Sequence, residues 1–477
     1  MESAGLWMLA LVVVVLITSG LPAFVVLIGV SALFAVVGVA TGSLDYPLLT
    51  ALPLRIIGLM ETDILQALPL YVLMGALLDR LPLAETLFRA GTAALSRTRA
   101  APLLSAIGVG VMLAPMNGSV GASTATLSRV LYPRIVARGV MPAQSLSLVC
   151  VASTFGVVVP PSLVLILLGD TMLRAHTEAI NATRVLTQVI NTQDVFRGAL
   201  VPAGLFVLAC AALAWWIGRR ANGAGERIAV GVRLGWRGWS AAILAPLFIV
   251  GLLAAVVAGY VYAVEAAATG ALTLVLSGVI TRTLRGDIWA AVLRDTMAVT
   301  GALFALFVAA TTFTLVFRAF GSDRLLATAI AQLPGDATTI AVIVLAFIGL
   351  CAFVLDAFEI ILVIVPVVMP PVLIQAPDAV WMAVLTLLVL QTSFLVPPFG
   401  YAVMMARTRI GERLPMRSVA RGIAPYLCAQ LVVLGVTIAV PELTHLIGSA
   451  NSGTPPLTDE QVRRQLESIR PIIEPRD

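Results

Sequence analysis

Two pairs of consecutive prolines, each set in apolar sequence, carry the chain's plainest chemical signal. In STFGVVVPPS, Pro160 and Pro161 remove two successive N–H donors and break any helix that runs into them. Gly156 loosens the backbone just upstream. Carbonyl oxygens in that stretch lose their intrahelical donors, and at membrane depth each must find another partner. A Na⁺ ion is one such partner; a simple proline kink is the alternative. A second copy, TSFLVPPFGY, holds Thr392, Ser393, Pro397, Pro398 and Gly400, and two matched interruptions are the expected mark of a transporter site.

Two further segments carry polar groups where apolar ones are expected. MNGSVGASTATLSRV places Asn117, Gly118, Ser119, Gly121, Ser123, Thr124 and Thr126 behind Pro115. A broken helix or re-entrant hairpin uses such residues, because glycines admit close backbone approach and hydroxyls with freed carbonyls replace the water shell of a hard cation. A small-residue packing face is the competing explanation. FVLDAFEIILVIVP sets Asp356 and Glu359 on one helical face. Intramembrane acids are costly and point to cation or proton handling, whereas a carboxylate at a helix start caps it and binds no ion. Asp356 fits either reading, and Glu359 and Glu265 fit the structural one.

These residues must be held by membrane helices. Of 477 residues 60% are hydrophobic and 12% charged, with a mean hydropathy of +1.02; soluble domains carry about 25% charged residues. A water-soluble globular protein is excluded. Apolar segments recur at about 5–20, 22–41, 56–79, 101–114, 144–169, 198–218, 240–258, 260–281, 297–319, 338–355, 357–375, 379–395 and 422–447, many near the 20 residues that cross a hydrocarbon core. The net charge of +5 comes from arginines alone, spread through short loops, which marks topology and excludes nucleic-acid binding. Cys150, Cys210, Cys351 and Cys428 lie far apart, so neither a disulfide framework nor a zinc site is expected. The acidic start MESAGLWMLA favours a retained first span over a cleaved signal peptide. No Walker motif is present, so ATP cannot be the chain's own energy source. His176 and His445 stand apart from any nucleophile or metal cluster, and no enzyme is expected.

Internal repetition organises the spans. Aligning the two proline pairs gives an offset of 237 residues, which brings Gly118-Ser119 onto Leu355-Asp356, and almost the same offset places LLDRLPLAETLF over VFRAFGSDRLLATA. The expected fold is an all-α polytopic membrane protein of two inverted repeats with re-entrant hairpins and broken helices. N-terminal helices occupy 1–52 and the first repeat 53–218, with a hairpin near 101–130, a broken helix near 144–170 and a polar insertion at 171–197. Connector helices fill 219–289. The second repeat takes 290–447, with a hairpin near 338–375 and a broken helix near 379–406, before a polar tail at 448–477. Ile180, Val185, Val189 and Val195 in the insertion are spaced for an amphipathic surface helix.

The run of motifs resembles a known family, the large, DctM-like membrane subunit of tripartite ATP-independent periplasmic transporters. The resemblance covers roughly 50–447 and rests on ALPLYVLMGALLDRLPLAETL, NGSVGAS, LYPRIVARG, ASTFGVVVPPS, AVEAAATGA, FVLDAFEIILVIVPVVMPP and QTSFLVPPFGYA in that order. The insertion and the last motif look like the branch associated with mannitol or chloroaromatic compounds. The resemblance implies a Na⁺-coupled elevator in the bacterial inner membrane, working with a separate small membrane subunit (DctQ-like) and a periplasmic binding protein that delivers a small organic anion. Carried over by motif position, one Na⁺ site uses Ser119 with backbone oxygens near Gly156, Val158 and Pro161. The other uses Asp356 and Ala357 with Ser393, Leu395 and Pro398. Ser393 stands where the family usually has Gly, and Val396 where it often has Thr. Substrate would sit at the midplane between hairpin tips and proline loops, with Asn117, Ser123, Thr154 and Thr392 as candidate contacts. A standalone ion-coupled anion carrier, or a membrane scaffold that transports nothing, would share much of this pattern.

Overall fold

The structure is a computed structural model that describes residues 3–160, 162–183, 190–220, 235–410 and 414–447. Every regular element among the described residues is helical. The chain opens with α1 (Ala4–Ser19), α2 (Ala23–Ala40), the short α3 (Tyr46–Leu49), α4 (Leu52–Met60), α5 (Asp63–Arg80) and α6 (Leu83–Ala94). Next come α7 (Ala101–Leu113), α8 (Val120–Val130), the one-turn α9 (Tyr132–Val136), α10 (Pro142–Val158), α11 (Leu163–Thr183) and α12 (Thr192–Arg220). After α13 (Trp236–Ala258) and α14 (Ala263–Ile280) follow α15 (Gly286–Ala319), α16 (Ser322–Ala331) and α17 (Ala337–Cys351). An arm starts as α18 (Ala357–Glu359), passes through a π turn at Ile360–Ile364 and continues as α19 (Val365–Gln375). The described chain ends with α20 (Ala379–Leu395), α21 (Tyr401–Ile410) and α22 (Met416–Ala439). Among the described residues eight helical stretches, α10 with α11 taken as one, are long and apolar enough to span a bilayer, or nine if Pro47–Met60 and Leu65–Arg80, bent by 56°, make one broken span.

Burial sorts these helices. α10 and α20 are apolar and buried almost all round, as expected of helices enclosed by other helices. α13 is apolar but largely uncovered, so lipid is its solvent. Arg219 and Arg220 close α12 over the rings of Trp215 and Trp216, at 3.9 and 4.0 Å, an arrangement suited to the membrane–water interface.

The helix bounds keep the 237-residue offset. Shifting Pro142–Val158 by it lands on α20, and shifting α7 lands within one residue of α17. α8 then starts where α18 starts, and α6 ends where α16 ends. Within each repeat the broken helix nests against its own hairpin, α10 on α7 and α8, α20 on α17. Between repeats the halves are exchanged: α8 packs on α21, and α19 packs on α11. α5, α14, α15, α2 and α1 form a second group around these elements.

The polar stretch 171–197 departs from the expected separate surface helix. Residues 171–183 simply continue α11, and 192–197 open α12; Val185 and Val189 lie outside the described residues. No proline or glycine interrupts the run after Gly169, and Thr171, Met172, Ala175 and Ala179 are buried on one face. Thr171 returns its hydroxyl to the Leu167 carbonyl at 2.8 Å, so the backbone loses nothing by continuing. α15 likewise starts eleven residues earlier than the apolar run at 297, because Asp295 is paired with Arg80 at 2.6 Å. The 448–477 tail lies outside the described residues.

Candidate functional site

Each hairpin turns on a capped helix start at equivalent positions. Gly118 takes φ +77°, a conformation that strains residues with a Cβ. Ser119 then leaves in extended geometry and its hydroxyl accepts from the Ala122 amide at 3.1 Å, capping α8. Asp356, 237 positions on, is also extended and is the N-cap of α18. The Glu359 carboxylate accepts from the Asp356 amide at 3.0 Å in a capping box. Both acids are half-buried. Their first duty is therefore structural, as is that of Glu265, which accepts from the Tyr262 amide at 2.9 Å.

The two breaks have equivalent geometry as well. Val159 leaves α10 at ψ 118° and Val396 leaves α20 at ψ 112°. Gly156 and Val157 would bond forward to Pro160 and Pro161, neither of which has an N–H. The Gly156 carbonyl accepts instead from the Ser162 hydroxyl. At the second break Ser393 and Phe394 face the same loss before Pro397 and Pro398, and the Ser393 carbonyl accepts from the Val396 amide at 3.3 Å.

Gly156 and Ser393 show why the two breaks differ in sequence. A Cβ on Gly156 would stand 2.6 Å from the Ala114 carbonyl oxygen, so hairpin and break touch backbone to backbone. Ser393 instead donates its hydroxyl to the Gly349 carbonyl at 3.0 Å. Its side chain thus bridges α20 to α17, accounting for a serine at this place. Ser393→Ala is expected to cost about 1 kcal/mol, read as a small fall in melting temperature of the purified protein, with unchanged melting as the contrary result.

Tyr401 joins the first hairpin to the second break. It opens α21 directly after the second break. Its hydroxyl lies against α8, 2.8 Å from where a Cβ on Gly121 would be, and its ring stands 5.9 Å from that of Phe394 at the end of α20. The phenol therefore ties the first hairpin's second arm to that break. Nothing in residue type or periodicity singled it out; the signal was its place after Pro-Pro-Phe-Gly.

The remaining named residues are distributed as follows. Asn117 is buried, and neither amide atom has a protein partner, so a buried polar group facing the tip is left for a ligand or water. Ser123 is fully buried and donates to the Ala114 carbonyl at 3.0 Å. Thr154 is fully buried, donates to Val151 O at 2.8 Å and faces the Gln391 amide at 3.4 Å. Thr154 and Gln391 are exact equivalents under the offset, and equivalents can touch only close to the axis that relates two repeats. Thr392 is half-buried and returns its hydroxyl to Leu388 O at 2.7 Å. Val158, Ala357 and Leu395 are buried at helix ends, whereas Pro398 is exposed in the second break. Pro161 lies outside the described residues. Among the described residues no three His, Cys, Asp or Glu side chains come together to hold a metal; any cation here would be held by hydroxyl, amide and carbonyl oxygens, the donors hard cations prefer.

Two arginine contacts tie the hairpins to the surrounding helices. Arg129 on α8 donates to both the carbonyl and a carboxylate oxygen of Asp79, each at 2.7 Å, at the end of α5. Arg318, at the end of α15, donates to the carbonyl of Pro366 at 3.2 Å. Pro366 is the offset equivalent of Arg129, so the same junction is tied in both repeats, with donor and acceptor exchanged.

Residues 10–443 match the family described as the DctM component of the tripartite ATP-independent periplasmic transporter. The chain belongs to this family. It is thus a multi-pass membrane component of a secondary transporter, not an enzyme, in a system of three parts. A putative large permease protein of such a transporter from Haemophilus influenzae is 26% identical over 395 residues, covering 80% of this chain and 90% of its own length. An isethionate permease protein of the same kind from Oleidesulfovibrio alaskensis is 22% identical over 442 residues, covering 88% of this chain and 65% of its own. Among solved structures, the YdaH transporter of Alcanivorax borkumensis superposes with a TM-score of 0.55 at 15% identity, covering 90% of this chain and 98% of its own. MtrF of Neisseria gonorrhoeae gives 0.52 at 14% identity, covering 82% and 83%. At these identities the structures speak for the fold.

Proposed function

We propose that this large permease takes up a small organic anion in symport with Na⁺, moving its two hairpins and two broken helices as one body against the α1, α2, α5, α14 and α15 group. The observation that carries the reading is the packing of α8 on α21: Tyr401, directly after the second proline break, lies against Gly121 in the first turn of the helix that Ser119 caps, while the first break touches the same hairpin through Gly156 and the Ala114 carbonyl. Oxygen donors for Na⁺ come from hydroxyls and freed carbonyls at the first tip and break, and from the half-buried Asp356 at the second. The helix starts at Ser119 and Asp356 turn N–H groups and positive dipole ends inward, which suits a carboxylate or sulfonate. The isethionate named for one relative is an anion of this kind. The partners follow the family: a small membrane subunit and a periplasmic binding protein in the inner membrane of a bacterium.

The contact between α5 and the first tip is made by glycine: a Cβ on Gly75 would come within 3.0 Å of the Asn117 backbone, so at this point the two meet backbone to backbone, and the side-chain tie between them is the Arg129–Asp79 pair further along α8. The test is uptake into proteoliposomes holding this chain and its small subunit, with binding protein and radiolabelled organic acids and sulfonates. Uptake should require both the binding protein and Na⁺. Uptake unchanged when choline replaces Na⁺ at constant pH would remove the coupling, and uptake without binding protein would make the chain a standalone carrier.

A further inference from the structure

The polar part of α11 lines a cavity that the tip site does not use. Asp170, Arg174, Thr177, Glu178 and Asn181 fall at helical spacing along one stripe. With Leu173 and Arg318 they line a wide-open surface depression of about 680 Å³. Arg174 Nε contacts Asp170 at 2.9 Å, and Arg318 Nη2 contacts Glu178 at 2.9 Å. Arg55 on α4 lies within electrostatic reach of Arg318 and Glu178. The lining thus pairs two guanidinium groups with two carboxylates, and Arg55 adds a further positive charge outside it.

Position gives these arginines a use. α11 begins at the first proline break, so Asp170 lies about 10 Å along the helix from the tip and Asn181 about 27 Å. The stripe runs outward from Asp170, with the buried apolar turns Leu163–Gly169 between it and the break. Both ion pairs are partly solvated, and such pairs are weak enough for a solute anion to exchange into. The guanidinium fork binds carboxylate and sulfonate oxygens in the geometry Glu178 uses now. We infer that the cavity between α11 and α15 is a second anion site, where Arg318 and Arg174 hold the transported solute on its way to or from the hairpin tips. Glu178 is the internal competitor that occupies Arg318 when no solute is there. The inference rests on the anion-carrier reading for its biological use, but its test is binding alone.

The experiment uses the full chain in phosphatidylcholine nanodiscs. Cys428, the exposed cysteine, is replaced by serine, and an environment-sensitive fluorophore is placed on Asn181→Cys. Isethionate, succinate and benzoate are the probes, titrated in sodium chloride and in choline chloride. At least one should give a saturable response, with the same Kd in both salts, since this site needs no Na⁺. Arg318→Gln should weaken it at least tenfold. Glu178→Gln should tighten it severalfold by freeing Arg318, a change of sign that a merely structural pair would not give. No saturable response to any probe, an unchanged Kd in Arg318→Gln, or weaker binding in Glu178→Gln would overturn the proposal. So would a response seen only on adding phosphatidylglycerol, which would make the cavity a lipid headgroup site. Loss of Na⁺ coupling in the uptake assay, with these results intact, would count against the tip reading and not against this site.

Discussion

Alanine at Gly156 is expected to reduce uptake at least about 100-fold, a change equivalent to roughly 2.7 kcal/mol. The added Cβ would lie 2.6 Å from the Ala114 oxygen and 3.0 Å from its carbonyl carbon. Those atoms are backbone, so no rotamer change relieves the clash, and α10 must move from α7. Overpacking of this kind costs about 1–3 kcal/mol. The displaced turn is the one whose carbonyls have lost their donors to Pro160 and Pro161, so the damage falls on the break itself. Gly108→Ala supplies the contrast. It lies on the same hairpin arm with nothing within 4 Å of its would-be Cβ, and alanine there should keep uptake and gain slightly in helix stability. Uptake per folded molecule and melting in detergent measure both, and parental values for Gly156→Ala would refute the packing argument.

The second large effect is expected at Asp356, where capping and charge can be separated. Asp356→Ala removes both and should cost about 1 kcal/mol of stability. Asp356→Ser puts at the second tip the residue that the first tip already uses at Ser119, keeping a side-chain cap without charge. Its melting should stay within a few tenths of a kcal/mol of the parent, while the half-saturating Na⁺ concentration rises at least about tenfold, equal to roughly 1.4 kcal/mol. Should Asp356→Ser retain the parental Na⁺ response, the carboxylate is a cap and nothing more, and the cation is held by oxygens elsewhere.

Much of the site was legible because it is written in local backbone chemistry. Proline lacks an N–H in any context, and matching the pairs at Pro160 and Pro397 yields the 237-residue offset that the helix bounds keep; residue type alone did not place the breaks, since α19 runs through Pro370 and Pro371. Composition alone required a helical membrane protein, since a bilayer leaves no other use for so many apolar runs without strand alternation. Ser119 and Asp356 were visible as polar residues at equivalent places. Whether Asp356 was cap or ligand stayed open, because the choice depends on which amides lie near its carboxylate.

Contacts between distant segments were decided by the tertiary structure. Tyr401 gains its place from Gly121 on α8, 280 residues away, and no period or spacing relates them. The stretch at 171–197 read as an amphipathic surface helix because its apolar residues recur at helical spacing, but that pattern cannot say what covers each face. In the fold residues 171–183 prolong α11, one side packed and the other turned to Arg318. Ser393 read as a departure from a family glycine until α17 supplied the Gly349 carbonyl that its hydroxyl reaches. A dihedral restriction acts within one or two residues and survives any surroundings. A contact depends on the shapes of two segments brought together by everything between them.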